Sequence, residues 1–402
     1  MGTIIDYARS AHDTFVERPF CRVDALCLSW LAYLRLPEGM GVATRAGARL
    51  VDLCDERLIP AMTAGLHDVE NSAALFAAMA TSPRFANVRA CLYVNETDEA
   101  TGMQFSATTF VLPDGVGSCV TFRGTDNTLL GWKENIRFGC MSAIPSQQRA
   151  VSYVEETVAE LGGTIWVSGH SKGGALALYG CGMACEETQT QIQACYSFDG
   201  PGMSPQLRSD PAWHDGVATV KVIPRASLVG MLFERSQQNL VVVSSTAEGV
   251  MQHAPFSWEV RGNDFVCEHG MDYDAWKLAQ RVNDWLEGMS PVDREDFSAL
   301  LAWLVDVTGE TSFSSLLRRW STNAKAMRAA LEAGPEGDRE LFARVMDDLV
   351  ATVLLGSRRE LGLEDDDTPQ GAAGAAERRL EDLSAKVNDR LSKLDRLTGK
   401  NR

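Results

Sequence analysis

Residues 164–180, TIWVSGHSKGGALALYG, carry a short apolar run into Gly169-His170-Ser171-Lys172-Gly173 and then into a helical pattern. Strand, sharp turn and helix, with a serine at the apex, are the setting of a G-x-S-x-G nucleophile elbow. Gly169 and Gly173 let strand and helix approach closely, so that a strained Ser171 projects from the end of a sheet. A serine hydroxyl is a poor nucleophile unless an imidazole takes its proton, an acid orients that imidazole and N–H donors await the oxyanion. The chemistry to look for is acyl transfer.

The partners of such a serine follow it in the order acid, then histidine, each on a loop after a later strand. Six histidines occur, at 12, 67, 170, 214, 253 and 269. His12 and His67 precede the elbow in predicted helices. His170 lies within the elbow, where its ring is poorly placed to meet the Ser171 hydroxyl, and His214 follows the wrong strand. His253, directly after the last parallel-strand candidate, is the expected base, with His269 the alternative. Asp199, at the end of a strand and followed by Gly200-Pro201-Gly202, is the expected acid; the alternative is a turn aspartate bonded to its own backbone. Many such enzymes carry the acid on the loop after the next strand. Here that loop, from Pro224 to Gly230, has no carboxylate before Glu234, and its Ser227 is a weaker candidate to orient His253.

One oxyanion donor is expected from the N–H of Lys172. Another is expected from Arg123-Gly124-Thr125-Asp126, where Gly124 permits close approach and Thr125 offers its N–H and hydroxyl. Helix capping by Thr125 or Asp126 is the competing role. The Lys172 side chain reads either as a lure for anionic substrates or as a plain surface lysine.

The elements that must position these groups come next. Residues 1–80 read as a helical entry, with helices expected around 43–59 and 69–81. Runs at 88–94, 104–112 and 118–122 read as strands, the last two joined by the turn Pro113-Asp114-Gly115. A helix over 145–161, the elbow, and strands at 193–198, 217–223 and 239–245 alternate as in a mainly parallel sheet covered on both faces. The remainder turns helical at 272–287, 293–308, 313–332 and 337–355. The expected organisation is a domain over 1–290 with its helical entry at 1–84, a helical region over 291–355, an acidic and Ala/Gly-rich linker over 356–375 and an amphipathic tail helix over 376–402. In the tail, Leu380, Leu383, Val387, Leu394 and Leu397 suit either a solvated helix or a self-associating coiled coil.

With 402 residues the chain is long enough for a sizeable core, and its net charge of −16 argues against a nucleic-acid partner. No uncharged apolar run is long enough to span a membrane, and no export signal is visible. Ten cysteines without a CxxC pair read as buried, reduced thiols of a cytoplasmic protein. Cys181 and Cys185 lack a His or acid at ligand spacing, so no metal or other cofactor is expected.

Phe122-Arg123-Gly124-Thr125, Gly169-His170-Ser171-Lys172-Gly173-Gly174 and Gln252-His253 together resemble the class 3 lipase-like branch of the α/β hydrolases. More closely, the chain resembles the bacterial Mbeg1-like family, over about residues 4–290. The resemblance implies an α/β-hydrolase fold with N- and C-terminal helical additions. It also implies Ser171 as nucleophile, His253 as base and Thr125 at the oxyanion position. Two departures stand out: Lys172 where class 3 lipases commonly have leucine, and Ala226-Ser227 where they place an aspartate. The expected activity is hydrolysis of a small-molecule carboxylic ester, lipid or other acyl, through an acyl-enzyme. A thioesterase or peptidase would use the same residues. The alternative of another kind is an inactive hydrolase-fold protein serving as a binding or scaffold module.

Overall fold

Among the described residues, eight strands pair in chain order into one sheet. They are β1 (Ala48–Arg49), β2 (Arg89–Asp98), β3 (Met103–Val111), β4 (Ser118–Phe122), β5 (Ile165–His170), β6 (Ile192–Phe198), β7 (Thr219–Pro224) and β8 (Leu240–Val243). The structure is a computed structural model that describes residues 1–140, 143–349 and 352. The linker expected at 356–375, the tail helix at 376–402 and the last residues of the helix expected at 337–355 lie outside the described residues.

β1 to β4 are antiparallel neighbours, and β4 to β8 run parallel. The change at β4 follows from the connections. β3 and β4 are joined by the Pro113–Gly115 turn, in which Asp114 and Gly115 take φ of 60° and 70°, whereas each later strand is reached by a longer crossover. Every residue of β4 is buried, as expected of a strand covered on both faces.

One face carries the helices Ile4–Ser10, Arg22–Leu31 and Val69–Thr81, whose Ile4, Leu26, Leu28, Phe76 and Phe85 neighbourhood forms the largest core cluster. The other face carries Pro145–Leu161 and the elbow helix Lys172–Met183, packed through Val154, Val158, Leu176 and Ala177. The entry helices are pinned by a wholly buried ion pair. Arg84 Nε and Nη2 donate to the two oxygens of Asp24 at 2.8 and 2.6 Å, and Tyr7 Oη donates to Asp24 at 2.6 Å. The guanidinium also reaches four backbone carbonyls, so the charge is well satisfied.

Of the C-terminal helices Tyr273–Gly288, Pro291–Val307, Phe313–Arg318, Trp320–Ala333 and Glu336–Leu349, all but Phe313–Arg318 share a core around Leu286, Phe297, Leu300, Leu304, Leu341 and Val345. Pro291–Val307 packs against the helix Leu129–Cys140, which follows the predicted oxyanion loop. A mostly parallel central sheet with helices on both faces and a strand-serine-helix elbow is the α/β-hydrolase fold. Among the described residues, no helix is long and apolar enough to cross a membrane.

Three sequence expectations differ from the structure. The helix predicted over 43–59 is instead Ala48–Arg49 as a strand and a single turn at Leu50–Leu53. Gly47, at φ 60°, lies where a Cβ would come within 2.3 Å of the Ala90 carbonyl, so the chain turns there to pair with β2. The helix predicted over 313–332 is broken at Arg319, whose φ and ψ of −105° and 24° leave the helical region. Cys185 and Cys267 are exposed, because both fall on connections and outside packed faces.

Candidate active site

Ser171 stands between β5 and the elbow helix at φ 59° and ψ −130°, a conformation that costs a non-glycine residue on the order of 1–3 kcal/mol. The flanking glycines explain how it is held. A Cβ on Gly169 would lie 2.2 Å from the backbone of Gly173, and one on Gly173 would lie 2.1 Å from the Phe122 carbonyl. The turn therefore packs against its own helix and against the end of β4 without room for a side chain.

Asp199 follows β6 directly, buried and at φ 46°. His253 Nδ1 donates to Asp199 Oδ2 at 2.6 Å. Because a carboxylate only accepts, this bond puts the imidazole proton on Nδ1 and leaves the Nε2 lone pair available for a hydroxyl proton. The other carboxylate oxygen accepts from Ser227 Oγ and from the Gly230 N–H, the latter at 3.2 Å. Ser227, weighed as a partner for His253, thus bonds Asp199. Gly230 has no room for a side chain either, since a Cβ would lie 2.3 Å from Asp199 Oδ1.

The His253 loop, a short 3-10 turn over Gly249–His253, is tied down on several sides. Gln252 accepts from the Ala226 N–H at 2.9 Å, and its carbonyl accepts from Trp258 Nε1 at 2.7 Å. His170 Nε2 donates to the His253 carbonyl at 2.9 Å, which leaves His170 Nδ1 to accept from Tyr33 Oη at 3.0 Å. Burial, helped by the neighbouring His253, holds the His170 imidazole down to about 3. It is a neutral strut between the entry region and the His253 loop. Among the described residues, no hydrogen bond joins Ser171 Oγ to His253; bonds of this kind tighten when substrate binds.

The Arg123-to-Asp126 loop leaves β4 alongside the elbow. A Cβ on Gly124 would lie 1.9 Å from Tyr33 Oη and 2.7 Å from the His170 carbonyl, so loop and elbow are in contact. Thr125 is buried and its hydroxyl donates to Asn135 Oδ1 at 2.8 Å. Capping belongs to Thr128, whose Oγ1 accepts from the Gly131 N–H at 3.2 Å, while Asp126 Oδ1 accepts from the Thr128 N–H at 2.8 Å. The Lys172 N–H is the first of the elbow helix and has no acceptor one turn back within it.

The Lys172 side chain corrects both of its sequence readings. It is buried, donating to the Gln104 carbonyl at 2.7 Å and to Glu134 Oε2 at 2.5 Å. Burial lowers its pKa against the pull of Glu134. The ammonium bolts the elbow helix to β3 and to Leu129–Cys140, and is not available to a substrate. Sequence reasoning misses Tyr33 and Glu134, which lie in no motif; it meets Gln252 only as the neighbour of His253 and Gly230 only as the end of the loop after β7, with no signal of what either one bonds.

Residues 79–302 match the Mbeg1-like family. Among solved structures, the chain is similar to a Rhizomucor miehei lipase propeptide complex at 13% identity, covering 56% of this chain and 80% of that one, with a TM-score of 0.33. It is also similar to the Lip2 lipase of Yarrowia lipolytica at 14% identity, covering 50% and 75%, with a TM-score of 0.29. Lipase II from Rhizopus niveus gives 16% identity, covering 39% and 66%, with a TM-score of 0.27. No curated protein matches the chain in sequence.

Proposed function

The chain belongs to the Mbeg1-like family, and from that premise and its site geometry we propose a serine hydrolase that cleaves a carboxylic ester through an acyl-enzyme on Ser171. The bond from His253 Nδ1 to Asp199 Oδ2, joining residues 54 apart in sequence, is the observation that carries this reading. Asp199 stabilises the imidazolium that forms when His253 Nε2 takes the Ser171 proton. Ser171 Oγ attacks the ester carbonyl, and the N–H groups of Lys172 and Thr125 receive the oxyanion. The protonated imidazole gives its proton to the leaving alkoxide. Water, activated by the same base, then releases the acid and restores Ser171.

An apolar acyl group suits the approach to this site. Val250 and Met251, on the turn that ends in His253, are 72% and 62% exposed, offering apolar surface beside the base. A second reading, a binding module that keeps the elbow as architecture, is favoured by the open Ser171 to His253 link. One experiment separates the two. A fluorophosphonate probe is expected to label the folded wild type and to leave Ser171→Ala unlabelled; a folded wild type that resists the probe supports the binding module and removes the hydrolase.

A further inference from the structure

A cavity of about 330 Å³ opens among the elbow helix, β7 and the segment after Met203. Leu178, Met203, Trp213, Arg208, Lys221 and Glu234 line it, and Ser171, Asp199 and His253 do not. Its volume is at the small end of the range for small-molecule pockets.

Lys221 points to what it holds. The residue is 5% exposed, and its Nζ has no hydrogen-bond partner among the described residues. Its nearest counter-charge is Glu234 Oε2 at 3.5 Å. Arg208, half exposed, approaches the same oxygen only to 3.9 Å, beyond hydrogen-bond length. Burial brings the Lys221 ammonium down to about 8, so at neutral pH it still carries its charge and three N–H donors. Two cations thus face one carboxylate, with donor capacity that the protein leaves unused. A buried donor without an acceptor is costly, and a ligand oxygen would relieve it.

The remaining wall sets the rest of the ligand. Leu178, Met203 and Trp213 make one apolar side, against which a body of a few carbons fits, beside the polar Thr219, Ser236 and Asn239. Asp215, exposed and accepting from Trp213 Nε1 at 2.8 Å, adds a negative charge at the rim that disfavours polyanions. We propose that this cavity binds a small monocarboxylate, its carboxylate taken by Lys221 and Arg208 and its short apolar body laid against Leu178, Met203 and Trp213.

Calorimetric titration of the full chain with sodium hexanoate tests this at fixed ionic strength. Saturable binding with one site is expected. It should weaken at least tenfold in Arg208→Gln and in Lys221→Met, and be blocked by Leu178→Trp, which fills the cavity. Hexan-1-ol and inorganic phosphate should bind at least tenfold more weakly than hexanoate. The proposal is overturned if the wild type does not bind hexanoate, if hexan-1-ol or phosphate binds equally well, or if Arg208→Gln leaves the affinity unchanged. Arg208 is half exposed, so that variant remains informative if Lys221→Met does not fold. The site is independent of the hydrolase reading: labelling failure at Ser171 leaves this titration's outcome untouched.

Discussion

The proposed base, His253, and the proposed oxyanion loop around Thr125 are braced by different sets of neighbours. His253 is braced from within the sheet's parallel half, by Asp199 at the end of β6 and by His170 in the elbow, while Ser227 and Gly230 after β7 hold the aspartate. Thr125 belongs to a loop braced largely from outside the sheet. Phe313 N–H donates to the Asn127 carbonyl at 3.0 Å, Ser314 N–H donates to Asn127 Oδ1 at 3.0 Å, and Asn127 Nδ2 donates to Ser314 Oγ at 2.8 Å, across 187 residues. Behind the loop, Trp132 stacks on Phe313 with ring centroids 3.6 Å apart, Lys133 pairs with Asp306, and Glu134 pairs with Lys172. The proposed base arm is held at strand ends and, just beyond Gly230, by Asn283 of Tyr273–Gly288, which bonds Met231 and Phe233. The proposed oxyanion arm is fastened to Pro291–Val307 and to the Phe313 and Ser314 segment, so damage to Phe313–Arg318 should reach that arm and spare the other.

That contrast can be broken first at the base. Asp199→Asn is expected to leave the fold intact and to lower kcat on an activated ester by on the order of 10⁴, because the wrong imidazole tautomer is then favoured. Unchanged turnover in a folded variant would remove Asp199 from the base arm.

The next effect is on pH stability. The unfolded chain protonates its His170 near the ordinary 6.5, whereas the folded protein refuses that proton until about 3. The unfolded state binds more protons in this window, so the contribution is complete above about 6.5 and stability falls as pH drops toward 3. The gap amounts to up to about 5 kcal/mol. Urea denaturation from pH 7 to pH 4 should show a shallower loss for His170→Gln, whose amide can still donate to the His253 carbonyl. An identical slope would mean that His170 is not the neutral strut described above.

Breaking the Lys172–Glu134 pair tests the other arm. Lys172→Met leaves a buried carboxylate unpaired and should cost about 3–5 kcal/mol in urea denaturation, with much of the loss regained when Glu134→Leu is added. Glu134 already has one oxygen without a hydrogen-bond partner, unlike the fully engaged Asp24–Arg84 pair, so the apolar replacement has less to lose there.

The smallest change is expected at the clamp. Asn127→Ala removes two side-chain hydrogen bonds to Ser314 and should lower kcat about tenfold with KM little changed, as for a loss confined to the oxyanion arm. A shift in KM alone would show that the C-terminal helices shape substrate binding and do not position the loop.

Much of this architecture was legible in the chain because its signals are local. Alternation between strand and helix marked the sheet, and the Pro113-Asp114-Gly115 turn marked the hairpin. Ser171 was conspicuous because strand, glycine, serine and helix are contiguous. The misreadings have an equally physical origin. Around 43–59 the apolar spacing suited a helix, but pairing with β2 and the tight turn at Gly47 prevailed. Lys172 looked like a surface charge because nothing within a few residues could neutralise it; its partner is 38 positions earlier.

The order of the elements and the candidates for nucleophile, acid, base and oxyanion donors can be read from the chain alone, since periodicity, turn chemistry and motif spacing act over a few residues. Which polar groups meet is settled by packing. Ser227 bonds Asp199, His170 links Tyr33 to the base loop, Asn127 is held by Ser314, and Lys221 is buried short of acceptors. Buried charges and hydrogen-bonding groups are satisfied by whatever the packing brings within about 3 Å, and that neighbour lies anywhere along the chain.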